Sequence, residues 1–153
     1  MTFYSSFYKY VLDGTINLAS DTIKLALVTS AYTPSVAHDV LADVNSSPDP
    51  EVEQVASPDN GYTTGGEEVT GVSVTHTDSP SQATLDADDV EWTALTATFR
   101  YGILYAEKSV GSPAIVNPLI AYILYDTEPE DVVVNGVDWK TKWSPNGILT
   151  VSE

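Results

Sequence analysis

LTATFRYGILY, from Leu95 to Tyr105, alternates apolar and polar or small side chains for most of its length. Leu95, Ala97, Phe99, Tyr101, Ile103 and Tyr105 fall on one side, and Thr96, Thr98, Arg100 and Gly102 on the other. A period of two predicts a strand with one face buried and one wet. Downstream, LIAYILY (Leu119–Tyr125) is apolar on both faces and predicts a central strand. Val132–Val134 and Val137–Trp143 flank Asn135-Gly136, which predicts a hairpin because both turn residues tolerate positive φ. Asn146-Gly147 repeats the signal before a last strand, Ile148–Val151. Upstream, Val90 and Trp92 form a short segment, and Gln82–Ala87 alternates after a Ser79-Pro80 turn. Glu68–Thr77 alternates through Val72, Val74 and His76, after Gly65-Gly66. In Thr22–Ser30, Ile23, Leu25 and Leu27 oppose Lys24, Ala26 and Val28, so both faces are partly buried. Short strands between turn signals, at a length suited to one domain, predict an all-β fold. The expected architecture is an antiparallel, jelly-roll-like β-sandwich spanning residues 1–153.

Two stretches depart from the strand pattern. Phe3, Phe7, Tyr10 and Val11 recur at helical spacing before Asp13-Gly14, predicting a short N-terminal helix. Its aromatic stripe packs either on its own domain or on a neighbour. Ser35 is placed to cap a brief helix over Val36, Val40, Leu41 and Val44. Residues Asn45–Thr64 have little pattern beyond a candidate strand at Val52–Val55, and suit an irregular arm or contact loop. Phe3, Tyr4 and Phe7, with Val52, Val55 and Tyr62 of that arm, are the candidate interface residues.

Charge narrows the range of partners. There are 22 acidic and 6 basic residues, for a formal net charge of −16. Nucleic-acid binding needs Lys and Arg to displace counterions from phosphates, and here the few cations are scattered. DNA, RNA and anionic membranes are therefore not expected partners. With no cysteine, disulfides, thiolate catalysis and Cys-based zinc sites are excluded. No run approaches the ~18 apolar residues of a membrane span. Met1–Leu12 lacks the basic and apolar regions of a signal peptide, so cytoplasmic synthesis is expected.

No set of residues spells out a reaction. His76 lies near Asp78, but a triad needs convergence in space and an oxyanion hole, which neighbours on one strand do not supply. Neither His38 nor His76 has a partner at metal-ligand spacing, and Gly65-Gly66 lacks the lysine of a phosphate loop. Acidic residues cluster at Asp49, Glu51 and Glu53, at Asp86, Asp88, Asp89 and Glu91, and at Asp126, Glu128, Glu130 and Asp131. Hard cations take oxygen ligands, but acidic turns in an acidic protein are ordinarily solvated. No catalytic residue, cofactor or metal is expected.

Several phrases carry a resemblance. They are FYKYVLDGTINLASDTIKLALVTSAYTP (Phe7–Pro34), NGYTTGGEEVTGVSV (Asn60–Val74), DADDVEWTA (Asp86–Ala94), FRYGILYAE (Phe99–Glu107), NPLIAYILYD (Asn117–Asp126) and NGILTV (Asn146–Val151). In this order they resemble a family of small virion structural proteins of tailed bacteriophages. The resemblance implies a capsid decoration or cement protein, a homotrimer bound to the major capsid protein on the head exterior. Negative charge suits the outside of a capsid, away from packaged phosphates. Residues Ser46–Asp59 are longer than the family pattern at this place. The alternative is a tail or fibre-associated module that binds a host carbohydrate or protein. Trp92, Trp139 and Trp143 are then a stacking platform; otherwise they are sandwich core.

Overall fold

A computed structural model describes residues 1–44, 60–125 and 130–152. Its first half contains β1 (Thr2–Phe3), α1 (Ser5–Leu12), β2 (Ile23–Val28), α2 (Leu41–Val44), β3 (Glu67–Glu68), β4 (Ser73–Asp78) and β5 (Ser81–Asp86). The second half adds β6 (Val90–Phe99), β7 (Tyr101–Ala106), β8 (Ser109–Val110), β9 (Ile115–Val116), β10 (Leu119–Leu124), β11 (Val132–Thr141) and β12 (Leu149–Ser152). All paired strands are antiparallel. The chain is thus an all-β, sandwich-like antiparallel fold with a short N-terminal helix.

The central sheet has five strands in the order β1-β10-β7-β2-β3. Its inner strands are apolar on both sides because both sides are covered. Leu25, Leu27, Leu104 and Ile120 pack with Trp92, Leu95 and Phe99 of the β6–β11 ribbon and with Phe7 and Tyr10 of α1. On the opposite face, Ala26, Val28, Ile103, Tyr105 and Leu119 pack with Tyr4, Tyr32, Leu41 and Val44. The mixed faces of β2 and the doubly apolar β10 were legible in the sequence for this reason. A three-stranded sheet, β12-β5-β4, extends the fold with β4 exposed along its length.

The Leu95–Tyr105 stretch is not one strand. Phe99 ends β6 in the ribbon, and Tyr101 begins β7 in the five-stranded sheet. Arg100 makes the corner: its N–H donates to Val28 O at 2.9 Å, and its carbonyl accepts Tyr125 N–H at 3.1 Å. Its Nε donates to Asp131 Oδ1 at 2.7 Å, while Ser30 Oγ donates to Asp131 Oδ2 at 3.0 Å. Across this corner the buried side changes. Leu95, Ala97 and Phe99 join one core cluster, whereas Ile103 and Tyr105 join the other.

Glycine geometry accounts for a second difference. β11 runs straight through Asn135-Gly136, paired with β6 from Val132↔Phe99 to Thr141↔Val90, with register shifts around Val137. Gly136 has φ 66°, and its N–H donates to Thr96 Oγ1 at 3.0 Å, so the dipeptide forms a bulge and not a hairpin. The ten-residue β6 offers a continuous partner, and pairing with it leaves no free end for a turn. Opposite, Ala94 has φ 51°, and its N–H donates to Asp138 Oδ1 at 2.9 Å. That irregularity leaves Thr93 and Ala94 both exposed and puts Trp92 and Leu95 on the same buried face.

Two further segments shift. Glu67–Glu68 pairs with β2, while β4 belongs to another sheet, so the predicted Glu68–Thr77 strand is broken at Val69–Val72. The second helix is a single turn, Leu41–Val44, and does not reach Ser35. Asp43 starts it by accepting the N–H groups of Asp39 at 2.8 Å and Val40 at 3.1 Å. Those backbone donors, Asp39 first, hold the Asp43 carboxyl below its ordinary pKa. Asn146-Gly147 does form the expected turn into β12, with Gly147 N–H donating to Ser144 O at 2.9 Å.

Candidate functional site

Helix α1 divides its aromatic residues between two surroundings. Phe7 and Tyr10 point into the core, and Phe3 stacks on Phe7 with centroids 5.2 Å apart. Tyr4 is fully buried on the other side of the sheet, where its hydroxyl meets Tyr32 Oη at 2.9 Å. Tyr32 Oη in turn lies 3.0 Å from His38 Nδ1. Burial, then the bond to Tyr32, raises the Tyr4 pKa far above its ordinary value, so the hydroxyl stays protonated. This relay fastens the Thr29–Val44 segment onto the sheet.

The expected interface set is therefore revised. Tyr4, Phe7 and Tyr62 are 0%, 2% and 2% exposed in the folded chain, and Phe3 is half-buried against the core. Tyr62 lies inside because Leu27 N–H donates to its hydroxyl at 3.2 Å and Asn60 O accepts Thr96 N–H at 2.7 Å. The end of the supposed arm is thus stitched to the core. Val52 and Val55, with the rest of 45–59, lie outside the described residues.

Besides Ser5 and Lys9, α1 exposes Tyr8, Val11 and Leu12, on a face turned away from the buried stripe. Leu12 is 88% exposed and Tyr8 53%. Beside Val11 runs a groove of about 380 Å³, lined by Ile16, Leu18, Ala19 and, from the three-stranded sheet, Val74. Tyr8, Val11 and Leu12 share one helix face through their i, i+3 and i+4 spacing. Leu12 was the available signal, apolar yet off the Phe3–Phe7–Tyr10–Val11 stripe; Val11, expected on that stripe, is itself exposed.

The remaining candidates separate cleanly. His76 Nδ1 lies 3.5 Å from Asp78 Oδ1 on the exposed edge strand. Among the described residues, no cluster of three or more His, Asp or Glu side chains is arranged to hold a metal. In the Asp86–Glu91 cluster, Asp88 accepts from Thr70 Oγ1 at 3.2 Å, Asp89 from Trp143 N–H at 3.1 Å, and Glu91 pairs with Lys140 at 2.7 Å. Trp92 is core. Trp139 and Trp143 are partly exposed and share a cleft with Tyr125. No described helix is long and apolar enough to cross a membrane.

Set against known proteins, the chain matches no family model, no curated protein and no solved structure.

Proposed function

We propose that the chain is a non-enzymatic virion structural protein of a tailed bacteriophage, a decoration or cement protein on the outer surface of the head. The observation that carries the reading is the apolar face of Tyr8, Val11 and Leu12 with its adjoining groove and Val74. Contiguous exposed apolar surface on a soluble domain marks a contact site more often than chance. The resemblance of the ordered phrases to small phage virion proteins suggests the class of partner, the major capsid protein. The charge of −16 supports a position facing solvent on the head exterior. A homotrimer suits the role, since repeated copies bridge the joints between capsid subunits.

The test is an image reconstruction of purified particles that contain the protein, together with occupancy of the double variant Leu12→Asp, Val74→Asp. Density on the outer head is expected for the native chain, and loss of that density for the variant, with the free protein's melting temperature unchanged. Density in the tail would favour the tail or fibre-associated alternative. Full head occupancy by the variant would remove this face from docking.

A further inference from the structure

Five of the 6 basic residues are paired within the chain: Lys9 with Asp13, Lys24 with Glu107, Arg100 with Asp131, Lys108 with Asp21 and Lys140 with Glu91. Among the described residues, Lys142 has no carboxylate within ion-pair distance. In a chain with 22 acidic residues, a cation with no carboxylate partner among the described residues stands apart. Lys142 lies on a cleft of about 330 Å³ at the end of β11, lined also by Tyr125, Trp139, Trp143, Ser144 and Ile148.

The aromatic walls are held by contacts within the chain. Trp143 Nε1 donates to Asp88 O at 2.7 Å, and its backbone N–H to Asp89 Oδ1 at 3.1 Å. Trp139 packs edge-on against Phe99 and Tyr125, with centroids 5.3 and 5.9 Å apart. Walls so held lose little entropy on binding. Indole surfaces accept the C–H face of a sugar ring, while Ser144 and Lys142 offer polar partners to its substituents.

We infer that this cleft binds a single carboxylated sugar ring of uronic-acid type, laid against Trp139 and Trp143 with its carboxylate on Lys142. Of the nearby acids, Glu91 is paired with Lys140, and Asp89, which keeps its charge, is turned toward the Trp143 N–H. A long polyanion would meet the repulsion of the whole molecule, whereas one acidic ring meets chiefly its neighbours within a Debye length. The site does not depend on whether the chain sits on a head or a tail.

The test is a ¹H–¹⁵N titration of the intact chain with sodium glucuronate, with glucose and sodium benzoate run in parallel. Saturable shifts of the Trp139 and Trp143 indole resonances are expected, with a dissociation constant on the order of 1 mM for one ring. Glucose and benzoate are expected to bind more weakly. Lys142→Gln, an exposed change that leaves the fold intact, is expected to weaken glucuronate about fivefold, the scale of one exposed ion pair. No indole shift would overturn the site. Equal binding of glucose, tighter binding of benzoate, or an unchanged affinity in Lys142→Gln would overturn the ligand class.

Discussion

Gly66 and Gly136 both have positive φ, +79° and +66°, yet the fold asks different things of them. A Cβ on Gly66 would run into the carbonyl of Leu25, where β2 passes close by, while nothing lies within 4 Å of one on Gly136. Gly136→Ala therefore carries only the cost of a left-handed backbone, about 1 kcal/mol. Gly66→Ala adds an overlap with backbone that cannot rotate away, and is expected to cost at least ~2 kcal/mol. Urea unfolding of the two variants measures the difference. Equal losses would mean that the chain around Gly66 yields to the added methyl.

Helix α1 is short, with 8 residues, too few to persist without the sheet beneath it. What holds it is the burial of Phe7 and Tyr10, and its stop is set by Asp13 and Gly14 N–H groups donating back to Lys9 and Val11 carbonyls. Phe7→Ala is expected to lose about 3–5 kcal/mol of stability. Leu12→Ser, on the open face, is expected to stay within ±0.5 kcal/mol. Chemical denaturation separates these outcomes, and a large loss from Leu12→Ser would show that this face is packed in solution. The corner at Arg100 is the other element-level device. One continuous sequence pattern serves two sheets because the chain pivots there, with Asp131 and the Val28 carbonyl fixing the pivot.

At the level of the molecule, a charge of −16 works against compaction, while the ion pairs work for it. Exposed pairs such as Lys9–Asp13 and Lys140–Glu91 are screened by solvent and contribute little. Repulsion summed over 22 acidic residues is expected to outweigh them. Added neutral salt shortens the Debye length from ~30 Å at 0.01 M to ~8 Å at 0.15 M and weakens the repulsion first. The melting temperature is expected to rise with sodium chloride across that range. A fall would mean that the ion pairs, and not the net charge, dominate.

Strand character was written locally, in alternation such as Leu95–Phe99 and in the doubly apolar Leu119–Tyr125, because side-chain period and burial follow directly from residue order. The N-terminal helix and the Asn146-Gly147 turn were legible for the same local reason. Which sheet each strand joins was not, since pairing links residues far apart: Arg100 divides one pattern between two sheets, and Asn135-Gly136 becomes a bulge only because β6 lies alongside it. The sites follow the same rule. Phe3, Tyr4, Phe7 and Tyr62 are apolar or aromatic whether they anchor a partner or a core. Only packing against Leu27, Tyr32 and the central sheet turned them inward, and left Tyr8, Leu12, the Trp139–Trp143 cleft and Lys142 to face the outside.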